Sequence, residues 1–211
     1  MRPPIRLLAA FPIVIFILMV SCAPNTKIIG SWKSPELGTK TFKDIFILGL
    51  SDNFINRKTF EEDMAIILKE KGVKSTASVD AIGPGTAIQQ KNAEHIEEII
   101  KKGSSDAIMT MGLIDQTSET RYVQGSAYPM AGYGFRGYYG YYGGMAYTPG
   151  YYATDKSYFV EIKLFDLSTG TMVWSAQSET VNPSNLESAA MTFSRVVVDR
   201  MIKDGVIAGT K

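Results

Sequence analysis

The sequence predicts a single α/β domain with a mixed sheet: a βαβαβ unit, then an antiparallel β-hairpin, then a C-terminal helix. Three observations carry this expectation. Residues 45–50, Ile-Phe-Ile-Leu-Gly-Leu, form a continuous apolar run suited to a strand buried on both faces, as parallel strands are. Apolar residues at helical spacing then occur twice, at Phe60, Met64, Ile67 and Leu68 and at Ile96, Ile99 and Ile100, with short strand-like runs between and after them. Finally, Tyr158, Val160, Ile162 and Leu164 alternate with Phe159, Glu161 and Lys163, the pattern of a strand with one apolar face.

Taken in order, the first strand runs into a polar loop at 51–56. The helix that follows has two candidate starts, a capping box at Thr59 and Glu62 or a cap at Asn56. Lys69, Lys71 and Gly72 give it a C-terminal signal. A second strand is expected over 73–79, a turn over 82–85, and a second helix over 91–102 that Gly103 stops. The third strand is read over 107–114 with an extension toward Tyr122. After the strand at 158–164, residues 166–170 (Asp-Leu-Ser-Thr-Gly) make a tight turn, and 172–180 pair back as a hairpin with Trp174 on the inner face. The loop 182–184 is placed to cap a last helix marked by Leu186, Ala190, Phe193, Val197 and Met201 and ended by Gly205.

The chain has 211 residues, which suits one ordinary domain. Hydrophobic residues make up 45% and charged residues 20%, enough apolar content for a real core. Twenty-two Lys and Arg against 21 Asp and Glu give a formal charge of +1, which removes a whole-chain argument for nucleic-acid binding. One Cys excludes an internal disulfide framework and a multi-Cys metal site, and one His excludes a two-His zinc site. No cofactor is expected.

The N-terminus reads as an export signal. Arg2 and Arg6 form a basic start, residues 7–20 are uncharged and too short for a membrane span of about 20 residues, and Met19-Val20-Ser21-Cys22 follows. This resembles a bacterial lipoprotein signal with its lipobox, although Met19 stands where Leu is usual. The resemblance implies cleavage between Ser21 and Cys22 and acylation of Cys22, palmitate being among the expected chains. Ala23 after the Cys favours, by the same resemblance, the outer membrane facing the periplasm. Residues 1–21 are thus read as a signal peptide, 22–40 as a tether with a short strand at Ile28-Ile29, and 41–211 as the α/β domain. Trp32 is expected to dock from the tether onto the body. The entry at 105–108 (Ser-Asp-Ala-Ile), the strand-loop-helix at 45–72, and residues 165–170 followed by Val173-Trp174-Ser175 are similar to a family of uncharacterised bacterial lipoproteins. The domain is also similar to small envelope α/β domains, such as the N-terminal domain of the Tol-system propeller protein and the lipoprotein activators of peptidoglycan synthases. Those are binding and assembly modules, and the resemblance implies such a role without an enzymatic activity.

Few residues suggest chemistry. Residues 132–137 match G-x-G-x-x-G formally, but both flanks are Tyr/Gly-rich where a dinucleotide site needs a strand and a helix. His95 sits beside Glu94, Glu97 and Glu98 on the expected solvated face of the second helix, and no metal is assigned. Asp52, Glu61, Glu62 and Asp63 cluster near the carboxyl end of the first strand, where open α/β sheets bind ligands, though acidic residues there also complement a helix dipole. Ser51 has no His partner and no elbow glycines, so a serine hydrolase is not expected.

The segment 125–152 stands apart. It holds nine of the eleven Tyr, and Arg136 is its one charged residue. Gly content excludes a regular helix, and a loop of this length in a small domain is functional or low-complexity. Tyr with Gly is the composition of adaptable binding loops, so Tyr138, Tyr139, Tyr141 and Tyr142 are read as partner contacts for a sugar, a protein or a membrane interface. The expectation is therefore a non-enzymatic, lipid-anchored envelope module with a membrane partner through Cys22, a possible envelope protein or glycan partner, and no nucleic acid. The alternatives are an envelope hydrolase using carboxylates near Asp52 and Glu61, and a self-assembling structural subunit.

Overall fold

The computed structural model describes residues 25–82, 93–124, 127–128, 146–147 and 150–209. The elements are β1 (Asn25–Lys33), a 3-10 turn (Pro35–Leu37), β2 (Asp44–Gly49), α1 (Phe54–Glu70), β3 (Lys74–Ala77), α2 (Ser78–Ile82), α3 (Ala93–Lys102), β4 (Ala107–Val123), β5 (Ala127–Tyr128), β6 (Ala146–Tyr147), β7 (Tyr151–Asp166), β8 (Met172–Val181) and α4 (Leu186–Lys203). Six strands form one mixed sheet in the order β1-β8-β7-β4-β2-β3, and β5 pairs with β6 separately.

The apolar run of β2 forms the parallel centre, with β3 on one side and β4 on the other, and it is buried from Ile45 onward. Even-numbered residues of β7, Ile162 and Leu164, face α1 and α4 with no exposure, as the alternation predicts. Trp174 lies fully buried on the same face. There it joins Met64, Leu68, Met109, Phe193, Val197 and Met201 in the main core. A smaller cluster of Phe46, Leu48, Ile96 and Ile100 lies on the other face under α3. Each buried side chain of this size contributes about 1.5–3 kcal/mol over exposure. The mixed α/β architecture is the predicted one. Gly170, at φ +70°, closes the β7–β8 turn and donates its amide to Asp166 O at 2.8 Å.

Several local expectations are corrected. Residues 25–33 are part of the domain and not of a tether: β1 runs antiparallel to β8 from Asn25↔Val181 to Lys33↔Trp174. Its inner side chains are pinned, with Ser31 Oγ donating to Asp204 and Lys33 Nζ donating to Gly205 O. Trp32 points from β1 away from them and stays 45% exposed, so it does not dock as expected. Helix α1 starts earlier than either predicted cap, at Asn53, whose Oδ1 accepts from the Asn56 amide. Asn185 rather than 182–184 caps α4, accepting from the Ser188 amide. The second strand is only four residues, because Ser78 begins a short helix. Strand β7 begins at Tyr151 rather than Tyr158, so the last two residues of the expected 125–152 insertion are strand.

Candidate functional site

Two features stand at the carboxyl end of the parallel strands. The first is an arm. Strands β4 and β7 pair from Ala107↔Asp166 to Val123↔Tyr151. Their neighbours stop early: β2 reaches only Gly49↔Met111, and β8 only Val181↔Ser157. Beyond that level, residues 118–123 and 151–156 pair with each other alone, so a two-stranded ribbon projects about 20 Å at about 3.4 Å per residue. A free two-stranded ribbon is marginal in water. Cross-strand pairs support this one: Thr120 with Thr154 at 3.2 Å, Arg121 Nε donating to Asp155 at 2.8 Å, and Tyr122 against Tyr152 with ring centroids 5.2 Å apart. At its base Asn182, in a left-handed conformation at φ +47°, donates from Nδ2 to Asp155 at 2.7 Å and accepts from the Lys156 amide at 2.8 Å. The hydrogen bonds from Asn182 and Arg121 hold the Asp155 carboxyl below its ordinary range. The tip presents Tyr122, Tyr151 and Tyr152, the last 75% exposed. Gly150 fits there because a Cβ would collide with the Tyr122 ring.

The second feature is a cleft of about 460 Å³ between the ends of β2 and β4 and the first turns of α1 and α4. Its walls include Leu50, Phe60, Met111, Leu113, Val160 and Phe193, and its polar lining includes Ser51, Asn56 and Arg57. Phe60 and Phe193 meet edge to face at 5.3 Å. The site lies where open α/β sheets place ligands.

The predicted acidic cluster is dispersed. Asp52 is exposed. Glu62 pairs with Lys58 one turn away. Asp63 is raised, first by partial burial and then by the charges of Glu62 and Glu187. Glu61 is fully buried. Its Oε1 accepts from the Gly49 amide at 2.7 Å and from Ser78 Oγ at 2.6 Å, and its Oε2 accepts from the Val79 amide at 2.8 Å. Burial raises its pKa, against the lowering effect of those three donors and of Arg57. Glu61 thus joins the end of β2 to the start of α2 and is not one of the residues lining the cleft. Arg57, one turn earlier on the same helix face, is buried as well and sits 5.7 Å from the Phe54 ring centroid. Sequence reading missed Arg57; the signal was its place, with Glu61, on the stripe of Phe60, Met64 and Leu68.

His95 lies on α3, with its side chain outside the described residues. Ser21, Cys22, Tyr138, Tyr139, Tyr141, Tyr142 and the glycine motif at 132–137 also lie outside the described residues. Among the described residues no group of three or more His, Cys, Asp or Glu could hold a metal ion, and no helix is long and apolar enough to cross a membrane.

The chain matches no protein-family model and no curated protein. Among solved structures it is similar to the PelC dodecamer from Paraburkholderia phytofirmans, at 14% identity and a TM-score of 0.43, over 86% of this chain and 98% of that one. It is also similar to the lipoprotein GNA1162 from Neisseria meningitidis, at 13% identity and a TM-score of 0.41, over 76% of this chain and 99% of that one. A PDZ domain protein from Parabacteroides distasonis follows at 12% identity and a TM-score of 0.34, over 82% of this chain and 36% of that one. Coverage is broad but identity and TM-score are low, so none of the three assigns a role to this chain.

Proposed function

We propose that this chain is a lipid-anchored envelope protein that serves as a non-enzymatic binding and assembly module. The arm is the observation that carries the reading. A compact sheet supports a ribbon of residues 118–123 and 151–156, and its exposed end presents Tyr122, Tyr151 and Tyr152. The same strands lead into and out of the Tyr/Gly segment, so the richest contact chemistry in the sequence is joined to the projecting ribbon. Anchorage rests on the sequence: Arg2, Arg6, the apolar run 7–20 and Ser21-Cys22, with acylated Cys22 holding the protein on the outer membrane facing the periplasm. Two or more acyl chains, at about 0.8 kcal/mol per buried methylene, suffice for stable attachment.

The test has two arms. Labelling with a palmitate analogue is expected to mark the wild-type protein and not Cys22→Ala. A photo-crosslinker at Tyr152 is expected to give discrete adducts in cells, while the same group at exposed Glu97 on α3 gives none. Equal behaviour at the two positions would remove the arm as the contact element.

One observation favours a second reading, an envelope hydrolase: Glu61 is a buried carboxyl of raised pKa near the cleft. Three donors already engage it, and its function in the fold is to join β2, α1 and α2. The hydrolase reading therefore ranks second.

A further inference from the structure

We infer that the arm's partner is the bilayer itself: the tyrosine tip seats in the interfacial layer of the membrane that holds Cys22. This rests on the acylation of Cys22 proposed above.

The register supplies the first argument. Asn25, the first residue of β1, pairs with Val181, and Val181 pairs with Ser157 on β7. Ser157 is where the arm leaves the sheet. The anchor and the arm therefore emerge from the same end of the domain, two strands apart. The turn at 166–170 lies at the opposite end.

Chain length supplies the second. Only Ala23 and Pro24 separate Cys22 from Asn25, so those three steps span at most about 11 Å. The arm extends about 20 Å beyond the same level. A domain on so short a leash brings the arm to the surface either end-on or lying along it.

The chemistry of the arm agrees. Tyrosine is enriched where membrane meets water, because its ring is apolar and its hydroxyl is not. The charged residues of the ribbon, Glu119, Arg121, Asp155 and Lys156, sum to zero, and Arg121 pairs with Asp155. Across 125–152 the only charge is Arg136. The depth is bounded too. Both outer edges of the ribbon carry backbone groups that no third strand pairs among the described residues, and hydrocarbon would leave them unsatisfied. The tip therefore belongs at the headgroup level and not in the acyl core.

The experiment uses the full acylated protein in vesicles of phosphatidylethanolamine and phosphatidylglycerol. Once Cys22 carries lipid on its sulfur, an introduced Cys is the one reactive thiol. An environment-sensitive fluorophore is placed at Tyr152→Cys, at Tyr151→Cys on the opposite face of the ribbon, and at Thr169→Cys in the far turn. Both arm labels are expected to shift to the blue and to lose several-fold in accessibility to a water-soluble quencher, while the Thr169 label stays aqueous. If both arm labels remain as accessible as the Thr169 label in protein whose mass shows the acyl chains, the inference is overturned and the anchoring stands. A mass without acyl chains on Cys22 overturns the anchoring reading and this one with it.

Discussion

The carboxylate of Asp204 accepts a hydrogen bond from the indole Nε1 of Trp174 at 2.9 Å. The same oxygen, Oδ2, also accepts from Ser31 Oγ at 2.9 Å and from Arg200 Nε at 3.0 Å. One carboxylate oxygen thus ties the edge strand β1, the buried tryptophan of β8 and the last turn of α4. Partial burial acts to raise the Asp204 pKa, but the bonds from Trp174, Arg200 and Ser31 outweigh it and hold the group below 3.8.

Asp204→Ala is expected to cost about 2–3 kcal/mol, because it strands the indole N–H and removes the bond that ties Ser31 of β1 to the end of α4. The pH dependence follows from the lowered pKa. The stabilisation is complete above 3.8 and is lost as pH falls through the lower folded-state value. Denaturant midpoints of wild type and variant should converge in acid; a constant gap across that range would contradict this assignment.

Glu61 has the opposite sign. Its raised pKa means that the folded state holds the proton more tightly than the unfolded chain does, so stability falls as pH rises from about 4.5 through the folded-state value. Glu61→Gln removes that slope but points an amide N–H₂ toward a donor at Gly49 or Val79, at a cost of about 1–3 kcal/mol. Urea midpoints from about pH 4 to about pH 8 are expected to show the wild-type advantage shrinking as pH rises.

Phe193→Ala is expected to cost about 3–5 kcal/mol, since the ring is 1% exposed and packs edge to face on Phe60 at the floor of the cleft. Thermal unfolding measures it directly, and a loss below about 1 kcal/mol would mean that the cleft closes over the void.

The arm is expected to behave as a separate unit. Tyr122→Ala should change global stability by less than about 0.5 kcal/mol, because the residue is exposed and its ring packs on the likewise exposed Tyr152 of the arm. Amide exchange at 118–123 and 151–156 should nevertheless speed up, and protection in β2 should not change. Gly150→Ala is expected to do the same by displacing the Tyr122 ring.

The fold was legible wherever burial set the pattern. The run at 45–50 announces a central parallel strand, the alternation at 158–164 announces a one-faced strand, and both lie where expected. Strand β1 was legible only as the short strand at Ile28-Ile29, because Gly30, Pro24 and Pro35 mimic a tether and its partner β8 is about 150 residues away in sequence. Pairing partners so remote leave no local trace. The arm was half legible for a related reason. Its residues are exposed on both faces, so 115–122 show no apolar period; the extension toward Tyr122 is expected, but only the register with β7 reveals that it runs on as a paired ribbon. Glu61 was noticed as an acid near a strand end, but its burial was hidden until Gly49, Ser78 and Val79 closed around it.

The irregularity in β1 has a consequence for how copies of this protein coexist at high density. Strand β1 is nine residues long and forms one margin of the sheet, with its outer row of amides and carbonyls unclaimed among the described residues. The register slips between Ile28 and Gly30, and the strand carries Lys27 before the slip and Lys33 after it. A straight margin would be a template for zippering onto a neighbour's margin; one that is kinked midway offers no long run of matched partners. Removing Ile29 would straighten the margin into a template, and the first sign would be fibrous precipitation of protein that still melts normally.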